Sequence, residues 1–247
     1  MSVTALRISV VALVSALAAG CGGQNAPRAS ESAQCENSGF LAVSAFRGVG
    51  PRTVLLAAAR FMHRHNVEAD LATRSVCPAL EARVFPPKQG WTVVIWPGYF
   101  NAHDIATARA LSSSLATLVV TTHEFEDAYW TLAVFDDGLP IVRFASQPGY
   151  FASSPSEARR SARKWSGPPG RLARKFRIPI EVVTPYLVPN ASGKAFRSDD
   201  FPRDNFWVFT DLWRRLGIWY PLNVDGYRSV LRVGSDFLDR LPAEGEL

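Results

Sequence analysis

Residues 91–150 read WTVVIWPGYFNAHDIATARALSSSLATLVVTTHEFEDAYWTLAVFDDGLPIVRFASQPGY, and their pattern decides the fold. Trp91 to Trp96 is a nearly continuous apolar and β-branched run closed by Pro97-Gly98, as expected of a buried strand. Asn101 is placed to cap a following helix, with Asp104 in the first turn against the positive end of the dipole. Ile105, Ala108, Leu111, Leu115 and Leu118 recur at helical spacing and give one apolar stripe. Leu118 to Thr122 is rich in β-branched residues, and Ala128 to Phe135 is aromatic and β-rich. Asp137-Gly138 is a hairpin turn signal. Pro140 to Ala145 then runs back, with Val142 and Phe144 on one face and Arg143 on the other. Strand, helix and three strands predict an α+β fold: a mainly antiparallel sheet with a helix covering one face, in a single domain.

The flanking segments are read to pack on this unit. Pro51 to Asn66 is a predicted helix with Val54, Leu55, Ala58, Phe61, Met62 and His65 along one face. Leu80 to Phe85 predicts a strand feeding the sheet through the loop Pro86–Gly90. Toward the C-terminus, Pro155 to Trp165 predicts a helix capped by Ser154, and Arg171 to Phe176 a second short one after Gly167-Pro168-Pro169-Gly170. Pro179 to Pro189 is extended or a short helix. Phe206 to Leu216 predicts a helix with Phe206, Phe209, Leu212, Trp213 and Leu216 on one face and Gly217 as C-cap. With Trp207, Trp219 and Tyr220 nearby, this concentration of aromatics reads as core, or as the wall of a ligand groove. Tyr227 to Val233 alternates like a strand, and Ser235 to Leu241 suits a short helix.

The chain has 247 residues, 47% hydrophobic and 20% charged, enough for one large domain or two small ones. No long linker divides it, which favours one. The formal net charge is +5. That is mildly basic: it permits attraction to anionic surfaces without arguing for nucleic acid.

The first 20 residues carry one cation, Arg7, and then the apolar run Ile8 to Ala19, which is short for a membrane span. The run ends in Leu17-Ala18-Ala19-Gly20-Cys21, and these small residues before a cysteine resemble the lipobox of bacterial lipoproteins. The resemblance implies that residues 1–20 are a signal peptide and that Cys21 is diacylated and becomes the mature N-terminus. It also implies a lipid-anchored cell-envelope protein whose membrane partner is reached through that lipid. Residue 22 is Gly rather than the Asp that resembles an inner-membrane retention signal, so the outer membrane is expected if the cell has two. Without residues 1–20 the chain loses only Arg7, and export disfavours nucleic acid as a partner. Residues 21–34 are small and polar, a tether for a globular part over 35–247. Two cysteines remain, Cys35 and Cys77, and an oxidising compartment predicts one disulfide between them.

Few residues carry a chemical signature. There is no GxSxG elbow, phosphate loop or GxGxxG, and no cofactor is expected. His63 and His65 lie two apart on a predicted helix, about 200° around it, and cannot share a metal ion there. His103 beside a helix start is read as capping or surface. Thr121 to Asp127, TTHEFED, gathers His123, Glu124, Glu126 and Asp127 at what reads as a solvated hairpin tip, the alternative being an acid/base site on a loop. The basic segment is the main surface signal. Arg159, Arg160, Arg163, Lys164, Arg171, Arg174, Lys175 and Arg177 fall in one stretch with no acid between Glu157 and Glu181. It is a solvated face, a contact with the anionic membrane surface, or a site for an acidic envelope partner.

These features lead first to a non-catalytic, lipid-anchored binding module. The alternative is an envelope hydrolase using Glu124, Glu126 and Asp127, or Asp199, Asp200 and Asp204. That chemistry requires two carboxyl groups facing each other at roughly 5–10 Å. An immunity-type protein neutralising a toxin fits only by analogy of fold.

Overall fold

The computed structural model describes residues 40–125 and 129–243. Residues 1–20, expected to be a signal peptide, residues 21–34, expected to be a tether, and Cys35 lie outside the described residues, as do Glu126 and Asp127. Eight strands form one antiparallel sheet: β1 (Ala42–Arg47), β2 (Ala69–Ala72), β3 (Glu81–Val84), β4 (Trp91–Ile95), β5 (Leu118–Phe125), β6 (Tyr129–Asp136), β7 (Leu139–Ala145) and β8 (Ser229–Val233). Their order across the sheet is β2-β8-β3-β4-β1-β5-β6-β7. The fold is α+β, with the 91–150 unit supplying β4 through β7.

Helices cover both faces, not one. Alternation along each strand sends side chains to two separate cores. Ala42, Phe46, Val94, Trp96, Val119, Ala133 and Phe135 join α1 (Pro51–Arg64), α2 (Asp104–Ser114) and α7 (Phe237–Arg240) on one side. Val43, Ala45, Val93, Ile95, Val120, Leu132 and Val134 meet α4 (Pro169–Phe176), α5 (Ile180–Val183) and α6 (Val208–Arg215) on the other. Sheets buried on both faces show near-continuous apolar strands, which is why Trp91 to Trp96 lacks alternation.

Local chemistry fixes several boundaries. Asp137 and Gly138 both take positive φ, 50° and 75°, as a two-residue hairpin turn of the primed kind requires. Asn101 lies in a short 3-10 turn over Phe100–Ala102, so His103, not Asn101, sits at the N-cap of α2. Leu118 leaves the helical stripe altogether, opening β5 and packing in the opposite core. The helix over residues 51–64 ends at Arg64 with His65 as its C-cap; the His65 ring packs on Phe61 at 4.8 Å, while His63 is exposed. α6 closes with bonds from Gly217 N to Arg214 O and from Ile218 N to Trp213 O, the paired pattern of a Schellman cap.

At the sheet edge, β7 carries a register shift against β6 beside Val134/Phe135, where Pro140 faces Phe135. A proline and an irregularity are two of the devices that keep an edge strand from pairing further. The C-terminal half of the same edge is covered. After α3 (Pro155–Lys164) the chain turns back along β7, with Ser166 bridged to Phe144 and Gly167 N donating to Arg143 O at 2.8 Å. Gly167 has φ +58°, and a Cβ there would lie 2.8 Å from the Phe144 ring and its Cβ, so only glycine fits this approach.

Candidate functional site

Two places bring chemistry-bearing side chains together. The first is the basic segment. α3 begins with Ser154 accepting from Glu157 N at 3.2 Å, while Glu157 Oε2 accepts from Ser153 N at 2.8 Å, a reciprocal cap that starts the helix beside β7. α3 buries no residue; α4 buries Leu172 and Ala173. The short link through Gly167 therefore sets two cationic helices along one sheet edge. Between them is a cavity of about 440 Å³ whose walls include Ile141, Arg143, Arg163, Lys164, Ser166 and Arg171. A second, of about 440 Å³, shares Pro140, Ile141 and Arg171 with it and adds Arg174 and Lys175.

Five of the eight sequence-predicted cations thus line one continuous groove: Arg163, Lys164, Arg171, Arg174 and Lys175. Arg143, twenty positions before Arg163 and on β7 itself, joins them only through the fold. Arg159, Arg160 and Arg177 are exposed but line neither cavity. Lys175 pairs with Asp136 at the end of β6. No ion pair within the described residues holds Arg163, Arg171 or Arg174.

The second place is the Thr121–Phe125 segment, and here the reading as a solvated tip is corrected. These residues belong to β5, and Thr121, Thr122, His123 and Glu124 are buried. β5 lies against α2, which brings His123 Nδ1 within 2.8 Å of Asp104 Oδ1. Thr121 Oγ1 donates to Asp104 Oδ2 at 2.9 Å, Ser44 Oγ donates to Thr121 Oγ1 at 2.8 Å, and Trp96 Nε1 donates to Ser44 Oγ at 2.8 Å. Trp96 can only donate, so this chain has one direction, and it ends on Asp104 as an acceptor. Asp104 accepts on its other oxygen too, which places a proton on His123 Nδ1; in the neutral ring Nε2 is then an acceptor. His103 is likewise buried, its Nδ1 3.3 Å from Pro242 O.

His123 lines a cavity of about 420 Å³ together with Phe125, Tyr129, Phe151, Glu157 and Trp165. Phe125 and Phe151 stand edge to face at 5.0 Å, and Tyr129 and Phe151 at 5.4 Å. Sequence reasoning placed His123 in a polar cluster but missed its partner. Asp104 lies nineteen residues earlier, in a first helical turn where an acid needs no special explanation.

The other acidic candidates hold the chain together. Asp199 is buried; it accepts from Arg215 Nη2 at 2.6 Å, Tyr186 Oη at 2.8 Å and Phe196 N at 2.9 Å. Burial pushes its carboxyl up, but the bonds from Arg215, Tyr186 and Phe196 outweigh that and leave it below the usual carboxylate range. Burial, first among the causes, raises the Tyr186 phenol well above its ordinary value. Asp200 pairs with Arg214 at 2.9 Å on the surface, and Asp204 is exposed. Glu124 Oε1 accepts from Leu41 N at 2.8 Å. None of the three cavities brings two of these carboxylates together. Among the described residues, no group of three or more His, Cys, Asp or Glu is placed to hold a metal ion.

Cys77 precedes a 3-10 turn over Pro78–Leu80. Its loop is pinned by the buried Glu81, which accepts from Val76 N at 2.8 Å and Cys77 N at 3.1 Å and from the Ser75 hydroxyl. The aromatic run reads as core in the structure: Phe209 and Trp213 are fully buried, and Trp207 packs on Phe206, Phe209 and Tyr220. Trp219 lies under Lys88 Nζ, 4.7 Å from the ring centre. Burial pushes the Tyr220 phenol up to about 12, the charge of Arg83 opposing it. No family model, curated protein or solved structure matches this chain.

Proposed function

We propose that the chain is a lipid-anchored cell-envelope protein whose globular part is a non-catalytic binding module for a phosphate-bearing anionic partner. The observation that carries the reading is the groove beside β7, where Arg163, Arg171 and Arg174 from two helices stand exposed along one sheet edge. Guanidinium groups suit phosphate because each presents a planar fork of donors. The lipobox-like Leu17 to Cys21 supplies the anchor. A fully extended tether from Gly22 to Gln34 spans at most about 45 Å, which allows the groove to meet headgroups or a polymer near the same membrane. A Cys35–Cys77 bridge would fasten the start of the globular part to the loop that Glu81 pins. No helix among the described residues is long and apolar enough to cross a membrane, so attachment in this reading rests on acyl chains.

Sedimentation of the Cys21→Ser protein with phosphatidylglycerol vesicles, phosphatidylcholine vesicles and soluble polyphosphate tests the proposal. Binding to phosphatidylglycerol or polyphosphate should weaken as salt rises, and the combined Arg163→Ala, Arg171→Ala and Arg174→Ala substitutions should cost about 2–3 kcal/mol, near 1 kcal/mol for each cation. Retention by vesicles alone identifies a headgroup, and retention by both identifies phosphate as such. Equal binding to phosphatidylcholine, or no loss in the triple variant, would remove the groove from the account.

A further inference from the structure

The cavity at His123 lies outside the basic groove, with Glu157 on its wall and Lys164 Nζ 5.7 Å from the centre of the Trp165 ring. We infer that it is a binding site for a small organic ammonium ion carrying an apolar ring. This site is independent of the basic groove and stands on three features of the cavity.

The first is its walls. Phe125, Tyr129, Phe151 and Trp165 line one space of about 420 Å³, within the size range of small-molecule sites. Aromatic faces attract a cation through their quadrupoles, more strongly as the site excludes water. The second is charge. Glu157 is the charged side chain on the wall, and no lysine or arginine is among the residues lining it, although the chain as a whole carries net charge +5. Asp104, fully buried, sits directly behind the imidazole. The third is the acceptor. With its Nδ1 proton committed to Asp104, His123 has Nε2 as its one uncommitted nitrogen, on a residue that is 9% exposed and lines the cavity. A lone pair in that position accepts from an N–H and repels an anion. Asp104 acts through His123 by fixing the tautomer. Thr121, Ser44 and Trp96 in turn hold Asp104. Such a relay reaches from the centre of the sheet to the cavity and needs no adjustment when a ligand arrives.

Calorimetric titration of the full-length protein with benzylammonium, benzyl alcohol, benzoate and benzyltrimethylammonium tests this. Benzylammonium should bind saturably at one site per chain. Benzyl alcohol and benzoate should bind at least about tenfold more weakly, because they lack the cation. Benzyltrimethylammonium, which keeps the charge but has no N–H, should lose about tenfold or more, the range of a charge-assisted hydrogen bond. His123→Phe should lose a similar factor for benzylammonium and little for benzyltrimethylammonium. Glu157→Gln, which keeps an oxygen to accept from Ser153 at the start of α3, should weaken both cations by roughly two- to fivefold, with an unchanged melting temperature checking that the cap survives. Absence of saturable benzylammonium binding, or equal binding of benzyl alcohol, would overturn the proposal. So would equal binding of the two cations to the unaltered protein.

Discussion

Asp199 and Asp200 are neighbours with the same side chain and opposite fates. Asp199 is buried under Arg215 and Tyr186, and Asp200 is on the surface with Arg214. Removing Arg215 leaves a buried carboxylate without its cation, so Arg215→Ala should cost about 3–5 kcal/mol, read as the fall in urea midpoint. Arg214→Ala removes a partly exposed cation from Asp200 and from the buried Asp211, and should cost less. The same clamp makes stability depend on acid. Asp199 and Glu81 are both held below their ordinary values of 3.8 and 4.5 in the folded chain. The unfolded chain therefore takes up protons first as pH falls. The stability these carboxylates add is complete above about pH 4.5 and drains away below it, through the depressed folded values. Burial, with Arg64 beside it, holds His65 below its ordinary value of 6.5, so urea midpoints should ease down slightly between pH 7 and 5. They should drop further between pH 4 and 3, less steeply in Asp199→Asn. Nothing in the local sequence distinguishes the two aspartates, since the partners that decide their fates lie thirteen to sixteen residues away. The His123–Asp104 pair was hidden for the same reason.

At the level of elements, periodicity carried the helices and hairpins whose two sides differ, and failed where they do not. α1, α3 and α6 each bury one stripe or present one charged face, and the Asp137-Gly138 turn has its own chemistry. The strand at the centre of the sheet, β1, gives no such signal. Ala42, Val43, Ser44, Ala45 and Phe46 are all buried, between helices on both faces of the sheet, so the one polar residue among them, Ser44, marks no solvent face and the run shows no alternation. The helical stripe through residue 118 ran one turn too far for a related reason: Leu118 suits either period, and only the chain reversal at Ala116, φ +46°, decides. The link between α3 and α4 offers the sharpest element-scale test. Gly167→Ala combines a left-handed backbone with a contact to Phe144, so it should destabilise by about 1–3 kcal/mol. It should also speed hydrogen exchange at position 167, whose amide donates to Arg143 O. An unchanged melting temperature and exchange rate would mean that this link does not hold the groove in shape.

Across the whole molecule, a sheet covered on both faces leaves its surface chemistry to its edges and ends. The basic groove runs along the β7 edge, and the His123 cavity opens at the far end of β5 and β6. The fold class was legible from the 91–150 stretch because the hairpins in it are local. The second helical layer was not, since α4, α5 and α6 reach their face of the sheet only from long range. The proposed function adds a direction to this arrangement: acyl chains at Cys21 would hold the groove near an anionic surface. That placement is the central claim, and the most direct measurement of it is mass spectrometry of the mature N-terminus from fractionated cells. The account predicts a chain beginning at Cys21 with a diacylglyceryl thioether, recovered with membranes. An unmodified chain beginning at Met1 in the soluble cytosolic fraction would contradict it.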